Sequence, residues 1–202
     1  MLVGYSGHGV VVAEAADLFG IQLIGYTEKR EAVENPYSLT YHGFEADPDF
    51  TGWSEVKHYI LGIGDNNIRV KAARLIEEKG GQCVSIIHPA ASVSKLSKIG
   101  EGTFVARNAA VNPMCEIGKY VILNTSCGID HDCVIRAGAH IAPGAVLAGN
   151  VKVGEGAFLG ANSVVKEGVS IGEKAVIGAG SVIVHDVKPN SLVVGNPGKV
   201  IK

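Results

Sequence analysis

The sequence has no run of like charges, no long apolar segment and few aromatic residues. Aromatic residues make up 6% and charged residues 19% of the 202 residues, and the formal net charge is −2. Nucleic-acid binders carry basic patches, so we expect no nucleic-acid partner. No stretch approaches the roughly 18 apolar residues of a membrane helix, so we also expect no membrane span. These absences favour a small molecule as the partner.

The four cysteines include no CxxC pair, and Leu2-Val3 leads into a glycine turn instead of a signal sequence. We therefore expect a cytoplasmic protein with free thiols. The chain is 47% hydrophobic, which is ample for a packed core. Glycine is abundant, at 27 of 202 residues, which indicates a chain that turns often.

An aliphatic residue recurs at every sixth position through the second half of the chain. Seventeen consecutive positions follow this spacing: Ile87, Val93, Ile99, Val105, Val111, Ile117, Leu123, Ile129, Ile135, Ile141, Leu147, Val153, Leu159, Val165, Ile171, Ile177 and Ile183. Helices repeat at 3.6 residues and strands at 2, so a period of six predicts a short strand plus a tight turn. Glycine and asparagine recur where such a turn needs positive φ. The pattern predicts a parallel β-helix of about five coils, with three strands in each coil, but not its handedness.

Three cysteines, Cys115, Cys127 and Cys133, occupy the small position two residues before an aliphatic one. Side chains two apart on a strand share a face, so these thiols should point inward. We interpret them as packing residues, because buried free cysteine behaves as a small hydrophobe. Disulfide, metal and nucleophilic roles are not expected for them.

The first half alternates strand-like and helical patterns. Leu2-Val3, "IQLIGY" (21–26), "HYILGIGD" (58–65) and "CVSIIH" (83–88) are strand-like, while "VVVAEAADLF" (10–19) and "NNIRVKAARLIEEKG" (66–80) are helical. The order predicts a small Rossmann-like parallel α/β domain over residues 1–84, followed by the β-helix domain with its C-terminal tail over residues 85–202. The fold class is thus α/β plus all-β.

The turn "GYSGHG" (4–9) precedes the first helix and could present backbone N–H groups to a nucleotide phosphate. Its spacing is GxxGxG and not GxGxxG, so a tight turn without a ligand is the alternative. Asp130-His131-Asp132 interrupts the repeat with titratable groups. A histidine near pKa 6.5 suits a general base, whereas the alternative is a solvated corner.

The glycine turn, "IGDNNIR" (63–69) and "NTSCGIDHDCVI" (124–135), on a hexapeptide repeat ending in "PNSLVVGNPGKVIK" (189–202), together resemble the bacterial nucleotide-sugar N-acetyltransferases. Their relatives include sialic acid O-acetyltransferase-like proteins. The resemblance spans essentially the whole chain. It implies a left-handed β-helix, a homotrimer, and acetyl-CoA bound along the coils at subunit interfaces. The implied reaction acetylates the amine of a UDP-, dTDP- or GDP-linked 4-amino-4,6-dideoxy sugar.

The resemblance also implies site residues. His131 corresponds to the general base, Asp132 to the acidic residue after it and Asn124 to the asparagine that opens the run; Asp130 could orient the histidine instead of Asp132. The positions that correspond to acetyl-CoA contacts are His140, Gly149, Ala161 and Ala179. Those that correspond to nucleotide-sugar contacts are Ser6, Gly7, His8, Asn66 and Arg69. Thr27 and Glu28 stand where the family often has two acidic residues, so the nucleobase is not determined.

The implied chemistry is direct attack of the amine on the thioester, without a covalent enzyme intermediate and without a metal. Three alternatives stay open. A hydroxyl of a sugar or sialic acid could replace the amine as acceptor. A β-helix hydratase would use zinc held by three histidines, for which no third histidine has convincing spacing. The chain could also be a non-catalytic nucleotide-binding scaffold.

Overall fold

The computed structural model describes residues 1–202, and its first part is a four-stranded parallel sheet with helices on both sides. The elements are β1 (Leu2–Val3), α1 (Gly7–Leu18), β2 (Tyr26–Thr27), α2 (Gly52–Glu55), β3 (His58–Leu61), α3 (Asn66–Glu78) and β4 (Gln82–Cys83), and the strand order is β2-β1-β3-β4. Neighbouring residues of one strand point to opposite faces. Leu2 accordingly packs with α1, and Val3 packs with α3.

Two predicted strands are shorter than their apolar patterns. Of "IQLIGY" only Tyr26 is in a strand, and the preceding residues 21–25 have no regular structure. "CVSIIH" divides between the two parts of the chain, because Cys83 pairs with Tyr59 of the first sheet whereas Ile86 pairs with Phe104 of the β-helix. Periodicity could not divide this apolar run, since it contributes to one short strand in each part of the chain.

The second part is a parallel β-helix with three sheets, which we call faces 1, 2 and 3. Face 1 contains β5 (Ile86–Ile87), β8 (Phe104–Val105), β11 (Ile122–Leu123), β14 (His140–Ile141), β17 (Phe158–Leu159), β20 (Val176–Ile177) and β22 (Leu192–Val194), closed by antiparallel β23 (Lys199–Val200). Face 2 contains β6 (Ser92–Val93), β9 (Ala110–Val111), β12 (Gly128–Ile129), β15 (Val146–Leu147), β18 (Val164–Val165) and β21 (Val182–Ile183). Face 3 contains β7 (Lys98–Ile99), β10 (Glu116–Ile117), β13 (Val134–Ile135), β16 (Lys152–Val153) and β19 (Ser170–Ile171).

The predicted inward register is confirmed. Every aliphatic position from Val105 to Ile183 is in one buried core, and Ile87, Val93 and Ile99 pack against that core from the first coil. Cys115, Cys127 and Cys133 lie in the same core, at most 1% exposed. Cys115 and Cys133 also donate hydrogen bonds to the carbonyls of Asp130 and Ala148, 15 residues later in the next coil.

The corners repeat as regularly as the core. Backbone φ is positive at every sixth residue from Gly102 to Gly180, which includes not only glycine and asparagine but also Met114, Tyr120 and Lys174. A left-handed conformation costs a non-glycine residue roughly 1–2 kcal/mol. The stacked coils therefore impose the turn geometry even where the side chain disfavours it.

The two parts share an apolar interface. Ile86, Phe104 and Ile122 of face 1 pack with the residues of α1, whereas Tyr120 packs with α3 and Cys83. The longest helix, α3, has 13 residues, and none of the helices combines the length and the apolarity of a membrane span. The packing places the glycine turn before α1 and the start of α3 beside face 1.

Candidate active site

The Asp130-His131-Asp132 triplet lies at the corner where β12 of face 2 turns toward β13 of face 3, which we call corner 2/3. Asp132 is the corner residue with positive φ, 58°. This turn brings its Oδ2 to 2.8 Å from His131 Nδ1, and both side chains are more than half exposed, at 55% and 57%. Asp130 Oδ1 accepts the backbone N–H of His131 at 2.8 Å.

These contacts define the chemistry of His131. The hydrogen bond to Asp132, and then the charge of Asp130, raise the pKa of His131 above its ordinary value. If Nδ1 donates to Asp132, the neutral ring carries its lone pair on Nε2. His131 can then accept a proton at Nε2 while a carboxylate stabilises the imidazolium.

Gly149 lies directly above the ring, one coil further along the stack. A Cβ at this glycine would lie 2.7 Å from His131 Cε1 and 2.8 Å from Nε2, which is closer than real contacts allow. The backbone N–H of Asn150 donates to the His131 carbonyl at 2.8 Å. Gly149, predicted as an acetyl-CoA contact, therefore also leaves the space in which the His131 ring lies.

Asn124 and His140 form a second group, where β11 of face 1 turns toward face 2, at corner 1/2. Asn124 Oδ1 accepts the Thr125 backbone N–H at 2.8 Å, so its amide NH₂ points to His140 Nε2 at 3.0 Å. His140 is buried and must then carry its proton on Nδ1. Within one chain, Asn124 is thus bonded to His140 and lies on a different corner from His131.

The glycine turn faces this second group. Ser6 and Gly7 are exposed at the first turn of α1, whose N–H groups lack helical partners. The ring of His8 lies 6.3 Å from that of His140 and 5.6 Å from that of Phe104, between centroids. Burial and the nearby Arg69 charge lower the pKa of both histidines to about 4. Both rings are therefore neutral at physiological pH.

Arg69 is buried at the junction between the two parts of the chain. It is 1% exposed, and all its N–H groups donate within the chain, to Tyr120, Gly138, Ile63, Gly64 and Asn66. Arg69 therefore joins α3 to the β-helix through all of its N–H donors, and its contact with the nucleotide sugar stays a prediction.

Asn66 takes part in the same junction. Its amide NH₂ donates to the Gly156 and Ala157 carbonyls at 3.0 and 3.2 Å, and its Oδ1 accepts from Arg69 at 2.8 Å. The side chain of Asn66 therefore links the two parts of the chain, and its contact with the nucleotide sugar stays a prediction.

Thr27 is also buried, and its contact with the nucleotide sugar stays a prediction. It is 0% exposed, and its hydroxyl donates to Glu45 Oε2 at 2.7 Å. Glu28, which is partly exposed, accepts the Tyr5 N–H at 3.3 Å and keeps a carboxylate beside the glycine turn. Glu45 was not singled out in the sequence because it lies in an irregular segment far from β2. Burial raises its pKa.

Ala161 and Ala179 lie one above the other at corner 1/2, in the same column as Thr125, where the N–H of Gly180 donates to the Ala161 carbonyl. Gly149 lies in the His131 column at corner 2/3. The predicted acetyl-CoA residues thus form two separate columns on one chain, at the two edges of face 2.

A cavity of about 290 Å³ lies between the start of α3 and face 1, lined by Gly64, Asp65, Asn66, Phe158 and Val176 among others. A larger groove of about 500 Å³ on face 3 contains none of the predicted site residues. Phe158, whose ring lies 5.1 Å from that of His140, was not predicted; it is the outward residue 18 positions after His140.

The four buried thiols are poor nucleophiles. Burial raises the pKa of Cys83, Cys127 and Cys133 to about 12, so their nucleophilic thiolates are scarce at neutral pH. No three histidine, cysteine or acidic side chains converge as a metal ion would require.

Known proteins match this architecture throughout. Residues 1–76 match the family described as PglD N-terminal domain, and residues 150–184 match the hexapeptide repeat of succinyl-transferase. PerB from Caulobacter crescentus, solved with CoA and GDP-perosamine, is 34% identical with a TM-score of 0.93; the alignment covers 100% of this chain and 96% of that one. The acetyltransferase domain of PglB from Neisseria gonorrhoeae, solved with acetyl coenzyme A, is 31% identical with a TM-score of 0.92, over 99% and 97% of the two chains.

A GDP-perosamine N-acetyltransferase from Escherichia coli O157:H7 is 30% identical over 95 residues, which is 47% of this chain and 43% of that relative. The chain thus spans less than half the length of this relative in the match. The solved relatives confirm the left-handed parallel β-helix behind an α/β domain. The chain belongs to the nucleotide-sugar N-acetyltransferases, the family that joins a PglD-type N-terminal domain to a hexapeptide-repeat β-helix.

Proposed function

We propose that this protein transfers the acetyl group of acetyl-CoA to the amine of a nucleotide-linked 4-amino-4,6-dideoxy sugar, with His131 as the general base. The observation that carries the proposal is the 2.8 Å contact between His131 Nδ1 and Asp132, which leaves Nε2 free at an exposed corner. PerB was solved with GDP-perosamine, and the Escherichia coli relative is a GDP-perosamine N-acetyltransferase. GDP-perosamine is therefore the first substrate to test.

In this mechanism the amine attacks the thioester carbonyl in its neutral form, because the protonated amine has no lone pair, and the attacking nitrogen must then lose a proton. His131 Nε2 takes that proton while the N–C bond forms. The tetrahedral intermediate then collapses, the C–S bond breaks, and His131 returns the proton to the CoA sulfur. A backbone N–H of the coil, or the Asn124 amide, would stabilise the oxyanion. No thiol participates, which agrees with the burial of the cysteines.

The two parts of the chain would divide the substrates between them. Residues 1–84 would hold the nucleotide sugar at Ser6, Gly7 and His8, where the first N–H groups of α1 suit a phosphate. Residues 85–202 would hold acetyl-CoA against the coils. Glu28 is the acidic group at the end of β2, where a ribose hydroxyl is bound in related folds.

The active site would be completed by a second copy of the chain in a homotrimer. Gly149 and His131 lie along one edge of face 2, while Ala161 and Ala179 lie along the other. Threefold rotation about an axis in front of face 2 places one edge beside the opposite edge of the neighbouring copy. Acetyl-CoA between two copies would then contact both columns.

The outward residues of face 2 fit such a contact because none of them is charged. They are Ser92, Ala110, Gly128, Val146, Val164 and Val182. Val146 and Val164 are 44% and 41% exposed in the single chain. Face 3, by contrast, presents Lys98, Glu116 and Lys152 outward.

The activity is tested by following thiol release from acetyl-CoA with a panel of GDP-, UDP- and dTDP-linked 4-amino sugars. His131→Ala should lower kcat by about two to four orders of magnitude, the usual scale for loss of a general base. The matched control is His58→Ala, an exposed histidine at the start of β3 and away from both corner columns, which should keep wild-type turnover. A His131→Ala variant with most of its activity would overturn the assignment. Silence across the panel while acetyl-CoA still binds would favour a hydroxyl acceptor.

The assembly is tested separately by light scattering, which should give three times the 21.0 kDa mass of the chain. Val164→Glu should dissociate the trimer and abolish turnover, because it buries a charge at each contact. A matched substitution on face 3, Val134→Glu, should leave the mass unchanged. A wild-type monomer with full activity would refute a shared site.

A further inference from the structure

We propose that Asn112, one coil before the triplet, is a positioning residue that holds Asp130 and thereby aims His131. The inference rests on the proposed role of His131 as the general base. Asn112 lies 18 residues before Asp130, at the same corner 2/3 of the preceding coil. None of the sequence motifs includes it.

A single carboxylate oxygen links Asn112 to the backbone of the proposed base. Asp130 Oδ1 accepts the Asn112 amide at 2.9 Å and the His131 backbone N–H at 2.8 Å. With both bonds in place, the Asp130 side chain cannot rotate without breaking its bond to the His131 backbone. The carboxylate thus helps to hold the backbone from which the His131 ring projects.

Asn112 is itself held firmly enough to act as an anchor. Its backbone N–H donates to the Ile129 carbonyl at 2.9 Å, and its carbonyl accepts the Ser97 hydroxyl at 2.7 Å. The thiol of Cys115 donates to the Asp130 carbonyl at 3.0 Å. The preceding coil therefore holds Asp130 at two points, its carboxylate and its carbonyl.

The next coil restricts the ring of His131, because Gly149 of that coil lies directly against it. An exposed histidine at a tight turn would otherwise sample several rotamers, and a base that is misplaced by about 1 Å can lose up to a hundredfold in rate. Exposed surface side chains need such second contacts to act as precise catalytic groups.

The repeat does not require the Asn112 bond. The same corner position in other coils is occupied by Ser94, Ala148 and Lys166; the Ser94 hydroxyl bonds within its own coil, to the Leu96 N–H. An amide is the suitable group opposite Asp130, since it donates to the carboxylate without adding a charge that would compete with His131. The Asn112 bond is also the largest cause that lowers the pKa of Asp130.

The test is a double-mutant cycle on the acetyl-transfer assay. Asn112→Ala should lower kcat about tenfold, with KM for acetyl-CoA unchanged, because positioning acts on the chemical step. The control Ser94→Ala, one coil further from the triplet, should match wild type. If Asn112 acts through Asp130, the double variant Asn112→Ala/Asp130→Ala should be no slower than Asp130→Ala alone. Losses that multiply, or full activity in Asn112→Ala, would overturn the proposal.

A pH profile separates positioning from a general loss of structure. Asn112→Asp places two carboxylates together, and such a pair binds one proton more readily than either acid alone. Its rate relative to wild type should therefore recover as the pH falls toward 5, while the ratio for Asn112→Ala stays flat. Equal profiles for the two variants would count against the proposed bond.

A titration of the Asp130 carboxyl by NMR keeps the inference testable if the proposed function fails. Should wild type turn over no amino sugar, the pKa of Asp130 should still lie below its ordinary value and rise in Asn112→Ala. Identical titration curves would show that the bond does not form in solution. An inactive wild type with the expected shift would refute the reaction and keep the contact.

Discussion

Arg69 provides the sharpest test of how the two parts of the chain are joined. Replacing it with methionine keeps a long side chain in the interface but removes every N–H donor. The carbonyls of Tyr120 and Gly138, 2.8 and 2.9 Å away, belong to the β-helix, and those of Ile63 and Gly64 belong to the α/β part. Arg69→Met therefore breaks bonds on both sides of the junction at once.

The expected loss follows from these partners. Each buried acceptor left without a donor costs about 1–3 kcal/mol. Part of this cost is offset because the variant no longer buries a guanidinium, whose pKa burial lowers to about 10. A net loss of about 3 kcal/mol would lower the melting temperature by roughly 6–12 °C in a chain of this size.

The measurement is thermal unfolding of Arg69→Met beside Arg74→Met, the same substitution on the same helix. The Arg74 side chain is 67% exposed, and its ion pair with Glu155 is long, at 3.9 Å. The loss of such a surface pair should cost less than about 0.5 kcal/mol. If both variants melt alike, Arg69 is not the junction we describe. If Arg69→Met melts like wild type yet loses affinity for the nucleotide sugar, the role predicted from the sequence would be correct.

Three further predictions concern pH and the coil corners. Asp132→Asn should move the acidic limb of kcat/KM to lower pH, because the bond to Asp132 is the largest cause that raises the pKa of His131; an unmoved limb would refute the pairing. Lys174→Gly should raise the melting temperature by about 2–4 °C, since φ is +52° there, whereas Lys152→Gly on a strand should lower it. The pKa of His140 is lowered to about 4, so between ~6.5 and that value the unfolded chain binds a proton that the folded chain does not. As the pH falls through this window, the free energy of unfolding should therefore decrease by about 3 kcal/mol for a shift of this size, and decrease less in His140→Gln. Parallel curves of stability against pH for the two proteins would contradict this.

The fold was largely predictable because the repeat enforces itself. Each aliphatic residue at a multiple of six fills the same core, and each corner takes positive φ whatever its side chain, as Met114 and Tyr120 show. The α/β part was less predictable, because one apolar run, "CVSIIH", serves two sheets. The local sequence pattern could not show which strands the two ends of this run would pair with.

The site was predictable only where its members are close in sequence. His131 and Asp132 are adjacent, so the motif contains their contact. Asn112 and Asp130 meet across 18 residues, and Arg69 meets Gly138 across 69. A search at the coil period would have found the first of these contacts, whereas no local signal marks the second. The burial of Arg69 was not predictable, because the position of a residue in a motif says nothing about its exposure.

The surroundings of His131 and His140 shift the pKa values of these two side chains in opposite directions. His131 is exposed beside two carboxylates, which raise its pKa, so it gains a proton readily. His140 is buried near Arg69 and His8, which lower its pKa to about 4, and its Nε2 already accepts from Asn124. An imidazole in that state can donate through Nδ1 but cannot hold an extra proton at neutral pH. In the proposed mechanism, a proton released by the attacking amine would therefore pass to His131 and not to His140.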